Sequence, residues 1–303
     1  MMRIGVDLGG TKIEAAVLDE AGQILARRRR ATPRGSYAGI LDAVVELVRT
    51  LESEIGAQAS IGVATPGALS PATGLIKNAN SIELNGERLD VDLGAALGRE
   101  VRIANDANCF ALSEAVDGAA RGARVVFGVI LGTGVGGGIV VEGAPLSGRH
   151  AIAGEWGHNP LPWPRADELP GPRCYCGRYG CIETFLCGPG LVEDYARTAD
   201  APQPAEAVVR LAAAGESRAQ VCMARYEHRL ARALAHVINI LDPDVVVLGG
   251  GLSEIGRLYE RVPRLWGEFV FSDRVDTPLR PPVHGAAGGV RGAAWLWPAG
   301  ERS

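Results

Sequence analysis

Two stretches of the chain share one pattern, in which a predicted strand runs into a glycine turn and continues as a second strand. The first is DLGGTK at residues 7–12, and the second is LGTGVGG at residues 131–137. Because the backbone N–H groups of a glycine turn are open to ligands, both turns can surround anionic oxygens. The repeated pattern predicts two α/β halves with a ligand-binding cleft between them.

Length and hydrophobic periodicity agree with this division. The chain has 303 residues, which is enough for two cores. Strand and helix patterns alternate in both halves, with an amphipathic helix over 36–55 and a long helix over 221–241. We expect an N-terminal α/β domain over 1–118 and a larger C-terminal α/β domain over 119–303. A last short helix, at about 286–298, is expected to pack back on the N-terminal domain.

Composition and charge exclude several classes of protein. Hydrophobic residues make up 47% of the chain and charged residues 22%, as in a folded globular protein. The net charge is −4, and the one basic block, Arg27–Arg30, fits a solvated strand edge, so no nucleic-acid partner is expected. The longest uncharged run, 125–141, is rich in glycine and short for a bilayer span, and no signal-peptide pattern is visible. We therefore expect a cytoplasmic protein with no membrane partner.

Three of the six cysteines lie together in CYCGRYGC, at 174–181. Disulfides rarely persist in the cytoplasm, and the spacing C-x-C-x4-C lacks the C-x-x-C of redox pairs. Clustered thiolates favour Zn²⁺, which takes four tetrahedral ligands in a structural site. His158 is the first candidate for the fourth ligand and His150 the second, and the predicted zinc knuckle covers 158–183. Three unliganded thiols are the alternative.

The glycine turns also carry the residues expected to bind ATP. Neither turn is a P-loop, and the G-x-G-x-x-G that begins at Gly132 is followed by a strand-like sequence, which argues against dinucleotide binding. Ordinary hairpin turns are the alternative, but a third glycine turn at 249–251 favours nucleotide phosphates. The expected nucleotide-binding residues are Gly9, Gly10, Thr11, Lys12, Gly132, Thr133, Gly134, Gly136, Gly137 and Gly250, together with Asp7, a candidate Mg²⁺ ligand.

Asn105 and Asp106 follow a predicted buried strand, which is where α/β folds place ligands. Asp106 is the candidate general base, and capping of the next helix is its alternative role. Glu155 and Glu183 flank the predicted metal knuckle, which would bring both to one place. Carboxylates with an asparagine suit a ligand with several hydroxyl groups, such as a sugar, whereas solvated surface charge is the usual role of a glutamate.

Six motifs occur in an order that resembles the ROK family of repressors, open reading frames and sugar kinases, and they extend from residue 3 to about 297. The resemblance implies a two-domain actin-like ATPase (ribonuclease H-like) fold with a central cleft. It implies transfer of a phosphoryl group from ATP, with Mg²⁺, to a sugar hydroxyl. It also implies a structural zinc at His158, Cys174, Cys176 and Cys181. The motifs are DLGGTK, IANDAN, LGTGVGGG, GEWGHNPL, CYCGRYGCIE and VVVLGGG.

The resemblance also implies residue roles and a substrate class. Asp106 matches the catalytic base, and Asn105, Glu155, His158 and Glu183 match sugar-binding positions. Stretches such as KNANSIELNG are similar to the bacterial fructokinase/mannokinase branch, which predicts phosphorylation of fructose, and also mannose, at the 6-hydroxyl. Glucokinase and N-acetylhexosamine kinase are the alternatives within the family. A sugar-responsive regulator without turnover and a zinc hydrolase are alternatives of other classes, and the family resemblance allows a homodimer.

Overall fold

A computed structural model describes residues 2–199 and 201–298. Residues 1, 200 and 299–303 lie outside the described residues. The start of the predicted N-terminal domain and the end of the predicted C-terminal domain are among them. The strands are β1 (Arg3–Leu8), β2 (Lys12–Leu18), β3 (Ile24–Ala31), β4 (Ser60–Thr65), β5 (Ala68–Leu69), β6 (Ile76–Lys77), β7 (Val101–Asn105), β8 (Val125–Leu131), β9 (Val135–Val141), β10 (Ala144–Pro145), β11 (Val245–Gly249) and β12 (Leu279–Arg280). The α-helices are α1 (Tyr37–Ile55), α2 (Leu89–Leu97), α3 (Asp106–Val116), α4 (Ile182–Leu186), α5 (Gly188–Ala196), α6 (Ala205–Ala213), α7 (Ser217–Leu241), α8 (Leu258–Trp266) and α9 (Gly288–Ala294).

The described chain forms two compact units. Unit 1 comprises the described residues of 1–122, 138–153 and 283–303, and unit 2 comprises those of 123–137 and 154–282. The sequence predicted one boundary, between 118 and 119. Residues 119–122 and 138–153, which were expected in the C-terminal domain, belong instead to unit 1. The segment from residue 283 also belongs to unit 1, in agreement with the expectation that its helix packs on the N-terminal domain.

Unit 1 is built on a five-stranded sheet with the order β3-β2-β1-β4-β7. β1, β4 and β7 are parallel to one another, so their carboxyl ends lie at the same edge of the sheet. α1 begins where the Ser36 side chain accepts a hydrogen bond from Gly39 N (3.0 Å), and it ends at Gly56, whose φ is 67°. Its apolar face, which includes Val44 and Val48, packs in the core of the unit.

Helix α9 joins unit 1 because glycines let it approach the sheet closely. A Cβ atom on Gly5 of β1 or on Gly62 of β4 would lie 1.8 Å from a carbonyl oxygen of α9. On the helix itself, a Cβ atom on Gly292 would lie 1.6 Å from the carbonyl oxygen of Cys109 in α3. Any side chain at these three positions would collide with backbone, so the short helix is fixed in place by residues that lack one.

The basic block lies on β3, an edge strand, as the sequence predicted. Arg27 forms an ion pair with Glu14 of the neighbouring strand, and Arg28 pairs with Glu54 of α1 at 2.9 Å. These arginines are therefore engaged with carboxylates of their own chain, and charged side chains on an edge strand discourage pairing with other chains.

Unit 2 contains β8, β11 and β12, which are parallel, and the long helix α7. The second five-stranded sheet has the order β10-β9-β8-β11-β12. The sequence assigned Gly136 and Gly137 to the second glycine turn, but β9 begins at Val135, so these two glycines are strand residues. Among residues 2–199 and 201–298, no helix is both long enough and apolar enough to cross a bilayer.

Candidate active site and metal centre

Four side chains of unit 2 form a candidate metal centre. The ligand atoms of His158, Cys174, Cys176 and Cys181 all lie within 4.8 Å of one another. The sulfur atoms of Cys176 and Cys181 are 3.7 Å apart, and Cys174 Sγ lies 3.5 Å from His158 Nδ1. Two thiolates bound to one tetrahedral Zn²⁺ at ~2.3 Å would be ~3.8 Å apart, and a thiolate and an imidazole nitrogen ~3.5 Å. The donors and their spacing fit Zn²⁺, with His158 rather than His150 as the fourth member.

Backbone turns bring these donors together. Gly177 (φ 88°) and Gly180 (φ 69°) adopt the left-handed conformation, and Gly177 N donates to Cys174 O at 3.0 Å. The segment that carries His158 is joined to the cysteine loop by a hydrogen bond from Ile182 N to Asn159 O (2.9 Å). The sequence analysis expected the segment with His158 to lie beside the cysteine loop, because three clustered thiolates need a fourth ligand to complete a zinc site.

The thiols differ in their tendency to ionise without a metal. Burial raises the pKa of Cys181 to about 12, and burial also raises the pKa of Cys174. The pKa of Cys176 is lowered, first by a hydrogen bond from the backbone of Arg178. Cys174 and Cys181 therefore stay protonated at neutral pH unless a cation displaces their protons.

The other ring nitrogen of His158 has a partner that the sequence analysis missed. His158 Nε2 lies 2.9 Å from the hydroxyl oxygen of Tyr175, and the two rings meet edge to face at 5.0 Å. Desolvation of the hydroxyl, followed by the charge of Glu183, raises the pKa of Tyr175 to about 12, so the hydroxyl keeps its proton. Such a partner fixes the orientation and tautomer of a metal-binding histidine.

Glu155 and Glu183, two of the three predicted sugar-binding residues of unit 2, differ in their surroundings. Glu155 is exposed and precedes the 3₁₀ turn Trp156–His158. Glu183 is partly buried in α4, and its Oε2 accepts a hydrogen bond from Val135 N at 3.0 Å. The Glu183 carboxylate thus secures the end of the second glycine turn, which is a structural role that the sequence did not reveal.

Trp156 fixes the loop that carries His158 to β9. Its Nε1 donates to Gly136 O at 3.0 Å, and its ring packs edge to face on Phe127 with centroids 5.4 Å apart. A Cβ atom on Gly137 would lie 2.7 Å from Gly154 O. Gly136 and Gly137, predicted as nucleotide-binding turn residues, therefore lie in β9, where the lack of side chains allows the loop to approach.

The second glycine turn itself is shorter than predicted and comprises Gly132, Thr133 and Gly134. Gly132 N donates to Gly134 O at 3.0 Å, and Gly188 N of α5 donates to Gly132 O at 2.8 Å. Gly250 (φ 78°) follows β11, and a Cβ atom there would lie 2.4 Å from Leu131 O at the end of β8. The predicted turn residues Gly132 and Gly250 thus lie at the carboxyl ends of two paired parallel strands.

In unit 1, Asn105 and Asp106 form the junction between β7 and α3. Asn105, rather than Asp106, is the N-cap: its side chain accepts from Ala107 N at 2.9 Å and donates through Nδ2 to Gly67 O at 3.1 Å. Asp106 is the first residue of the helix and is exposed, and its Oδ1 also accepts from Ala107 N (2.8 Å). The junction therefore leaves a carboxylate accessible at the carboxyl edge of the sheet, where α/β proteins bind ligands.

Asp7, at the same edge on β1, has an unusual electrostatic environment. Burial raises the pKa of Asp7 to about 6, and the charges of Asp106 and Glu14 add to the rise while Lys12 opposes it. A carboxylate that lies close to other negative charges is a donor suited to a divalent cation. Asp7 thus fits the predicted Mg²⁺ ligand in its donor chemistry.

The first glycine turn borders a cavity of about 470 Å³ in unit 1. Gly9 N donates to Lys12 O at 3.0 Å, and the Thr32 hydroxyl donates to Gly9 O at 2.6 Å, so the turn is held by the end of β3. Gly10 and Thr11 line the cavity together with Arg34, a cation suited to phosphate. Gly10 and Thr11 thus border this cavity, while the binding of an anionic group by Gly9, Gly10, Thr11 and Lys12 stays a prediction.

Comparison with protein-family models matches residues 3–299 to the ROK family. The chain is 39% identical to an N-acetyl-D-glucosamine kinase from Pectobacterium atrosepticum, over 97% of this chain and 98% of that protein. It is 41% identical to an N-acetyl-D-glucosamine kinase from Escherichia coli O157:H7, over 97% of this chain and 99% of the relative. A crystal structure of a ROK hexokinase from Thermus thermophilus matches with a TM-score of 0.85 and 33% identity, over 97% of both chains.

These findings confirm the predicted fold class, an α/β fold of two units like that of the actin-like ATPases, but not the predicted branch. The fructokinase or mannokinase assignment has no support in the two curated relatives, which favour the alternative of an N-acetylhexosamine kinase. The six motifs identify the family as a whole, and several of them contain the predicted sugar-binding residues, so they do not by themselves distinguish one sugar from another. The chain belongs to the ROK family and lies among its sugar kinases.

Proposed function

We propose that this protein transfers a phosphoryl group from ATP to N-acetyl-D-glucosamine. The observation that carries the proposal is its identity of 39% and 41%, along nearly the whole chain, with two N-acetyl-D-glucosamine kinases. The exposed Asp106 carboxylate at the end of β7 supports it, since a kinase of this class needs a base at the accepting hydroxyl.

In the proposed reaction, Asp106 Oδ accepts the proton of the attacking sugar hydroxyl, which then attacks the γ-phosphorus of ATP and displaces ADP. The backbone N–H groups of the first glycine turn, with Lys12 and Arg34, neutralise phosphate charge. Asp7 is the proposed Mg²⁺ ligand, and Mg²⁺ would supply further neutralisation of the transferring group. Asn105, Glu155, His158 and Glu183 remain the proposed sugar contacts.

We further propose that His158, Cys174, Cys176 and Cys181 hold a structural zinc ion. The 3.7 Å separation of two sulfur atoms and the four-donor set support it. Four protein ligands leave no open coordination position, so the proposed ion orders the loop and takes no part in phosphoryl transfer. This argues against a zinc hydrolase.

The test is an ADP-release assay of the purified protein with ATP, Mg²⁺ and single sugars: N-acetylglucosamine, N-acetylmannosamine, glucose, mannose and fructose. We expect the highest kcat/KM for N-acetylglucosamine. A clear preference for glucose would instead support the hexokinase alternative, which the Thermus thermophilus structure represents. A preference for fructose would restore the first sequence prediction, and no turnover with any sugar would favour a regulator.

A further inference from the structure

His158 leaves one ring nitrogen for a substrate, because the other faces the metal-binding cluster. Its Nδ1 lies 3.5 Å from Cys174 Sγ, which leaves Nε2. A neutral histidine that binds a metal through Nδ1 carries its proton on Nε2, where it can donate a single hydrogen bond. If His158 contacts the sugar, as proposed, that contact is therefore made by Nε2–H.

The hydroxyl group of Tyr175 occupies this nitrogen. Its oxygen lies 2.9 Å from His158 Nε2, and the hydroxyl has no other hydrogen bond within the described residues. Because Nε2–H is a single donor, a sugar hydroxyl can accept its hydrogen bond only after the tyrosine oxygen has given it up. The tyrosine and the sugar are therefore competitors for the same atom.

The same hydroxyl lies near the other two predicted sugar-binding residues of unit 2. The pKa of Tyr175 is raised first by desolvation and then by nearby charges, which include Glu183 and Glu155. Glu183 uses Oε2 on Val135 N, and its Oε1 makes no hydrogen bond within residues 2–199 and 201–298. A sugar bound by His158 and these two carboxylates would have to enter the space around the tyrosine hydroxyl.

The Tyr175 side chain can leave this position without a rearrangement of the loop. It is 83% exposed, and the one ring that it meets in the described chain is that of His158, edge to face at 5.0 Å. Its neighbours Cys174 and Cys176 belong to the metal-binding cluster, which holds the backbone on both sides. Exposed side chains change rotamer within nanoseconds, so the exchange of the tyrosine for a sugar requires only a turn of its side chain.

We propose that Tyr175 is a positioning residue, whose hydroxyl holds His158 Nε2 in the sugar-free protein and is displaced by a sugar hydroxyl on binding. The inference rests on the proposed kinase activity, with His158 as a sugar contact, and it adds a residue that sets the affinity for the sugar. Tyr175 acts through His158 and takes no part in phosphoryl transfer. The hydrogen bond that orients the histidine before binding also weakens sugar binding, because it has to be broken.

The experiment compares sugar binding by the wild type, Tyr175→Phe and Tyr179→Phe. Tyr175→Phe removes the competing hydroxyl but keeps the ring against His158. The net strength of one hydrogen bond corresponds to ~2- to 10-fold in an equilibrium constant. Calorimetric titration without ATP should therefore give a Kd for N-acetylglucosamine lower by that factor, and KM should fall while kcat is unchanged.

Tyr179→Phe is the matched control, because it removes the same group from the same loop. Tyr179 is 57% exposed, and its hydroxyl makes no hydrogen bond in the part of the chain that the structure describes. Its Kd, KM and kcat should equal those of the wild type.

Metal content and thermal melting show whether each variant keeps the loop intact. An unchanged Kd in a folded Tyr175→Phe protein would overturn the proposal, and a higher Kd would make Tyr175 a direct sugar contact instead. Loss of metal together with a lower kcat would leave it a purely structural partner of His158. These results leave the proposed function standing. If the wild type prefers another sugar, the proposed function falls and the same comparison with that sugar decides the role of Tyr175, whereas binding of no sugar would overturn both.

Discussion

The junction at Asn105 and Asp106 and the loop from Trp156 to Glu183 both carry predicted substrate-binding residues, but they are built in different ways. The junction is a strand that continues into a helix, and backbone hydrogen bonds fix its side chains. The loop has only two short 3₁₀ turns before α4, and side chains hold it: the metal-binding cluster, Trp156 and Glu168. A site made of regular structure is ordered by the fold itself, whereas the loop depends on a few specific contacts, each of which can be removed.

Loss of the metal is expected to have the largest effect on the loop. The Cys176→Ser variant keeps three of the four strong donors in the cluster. In small zinc modules, metal binding contributes ~10–16 kcal/mol to the free energy of folding, so a weaker site also means a less stable protein. We expect loss of zinc, measured by atomic absorption, a lower melting temperature and a large loss of activity. Cys222→Ser is the matched control, because Cys222 is buried outside the cluster, and it should retain the metal. A zinc-free wild type with the same melting temperature would refute the dependence of the loop on an ion.

Substitution at the junction should act on the chemistry and leave the fold intact. Asp106→Asn keeps the shape of the side chain but removes the base, so kcat should fall about 100- to 10,000-fold with little change in KM for the sugar. Melting temperature and zinc content should match those of the wild type. Near-normal kcat in a folded Asp106→Asn protein would remove Asp106 from the proposed mechanism.

Glu168 connects the loop to α7 through buried ion pairs, with Arg229 at 2.8 Å and Arg232 at 2.7 Å. Glu168→Gln should destabilise the protein by about 3 kcal/mol at pH 7, because breaking a buried pair leaves an uncompensated charge. Burial acts to raise the pKa of Glu168, but the backbone N–H of Arg165 and the two guanidinium groups outweigh it, and the pKa is lowered.

A lowered carboxyl pKa contributes stability above the unfolded-state value, near 4.3, and this contribution is lost as the pH falls through the lower folded-state value. The stability difference between wild type and Glu168→Gln, measured by urea unfolding, should therefore be full at pH 7 and narrow below about pH 4. A difference independent of pH from 7 to 3 would contradict this origin.

The smallest effect is expected from Trp156→Phe. The aromatic contact with Phe127 is retained in part, but Gly136 O loses its donor, which costs about 1 kcal/mol. The melting temperature should fall by about 2–4 °C, with zinc retained. Release of zinc from this variant would show that the tryptophan, rather than the cysteine ligands, positions the loop.

The sequence predicted the strand-to-helix junction and the clustering of the three cysteines because both have local signals. Asn105 and Asp106 follow a strand pattern directly, and the cysteines lie within eight residues of one another. The roles of Gly136 and Gly137 could not be predicted in the same way. A glycine in a turn and a glycine under a tryptophan look alike in sequence, and only the packing of Trp156 distinguishes them.

Long-range contacts account for details that the sequence could not supply. The C-terminal helix was expected to pack on the N-terminal domain, but the sequence did not show that Gly5 and Gly62, far away along the chain, leave space for its backbone. The pairing of Tyr175 with His158 also depends on neighbours that no periodicity reveals. The proposed sugar was not the first prediction because the motifs that carried the resemblance are those of the whole family.

The central claim is that this ROK kinase acts on N-acetylglucosamine, and a competition experiment tests it most directly. Equimolar N-acetylglucosamine, glucose and fructose are incubated with the enzyme, Mg²⁺ and limiting ATP. The phosphorylated products are quantified by mass spectrometry, which distinguishes the acetylated sugar phosphate from the hexose phosphates by mass. The product ratio reports the ratio of kcat/KM values. We predict that N-acetylhexosamine phosphate predominates, and a mixture dominated by hexose phosphate would contradict the claim.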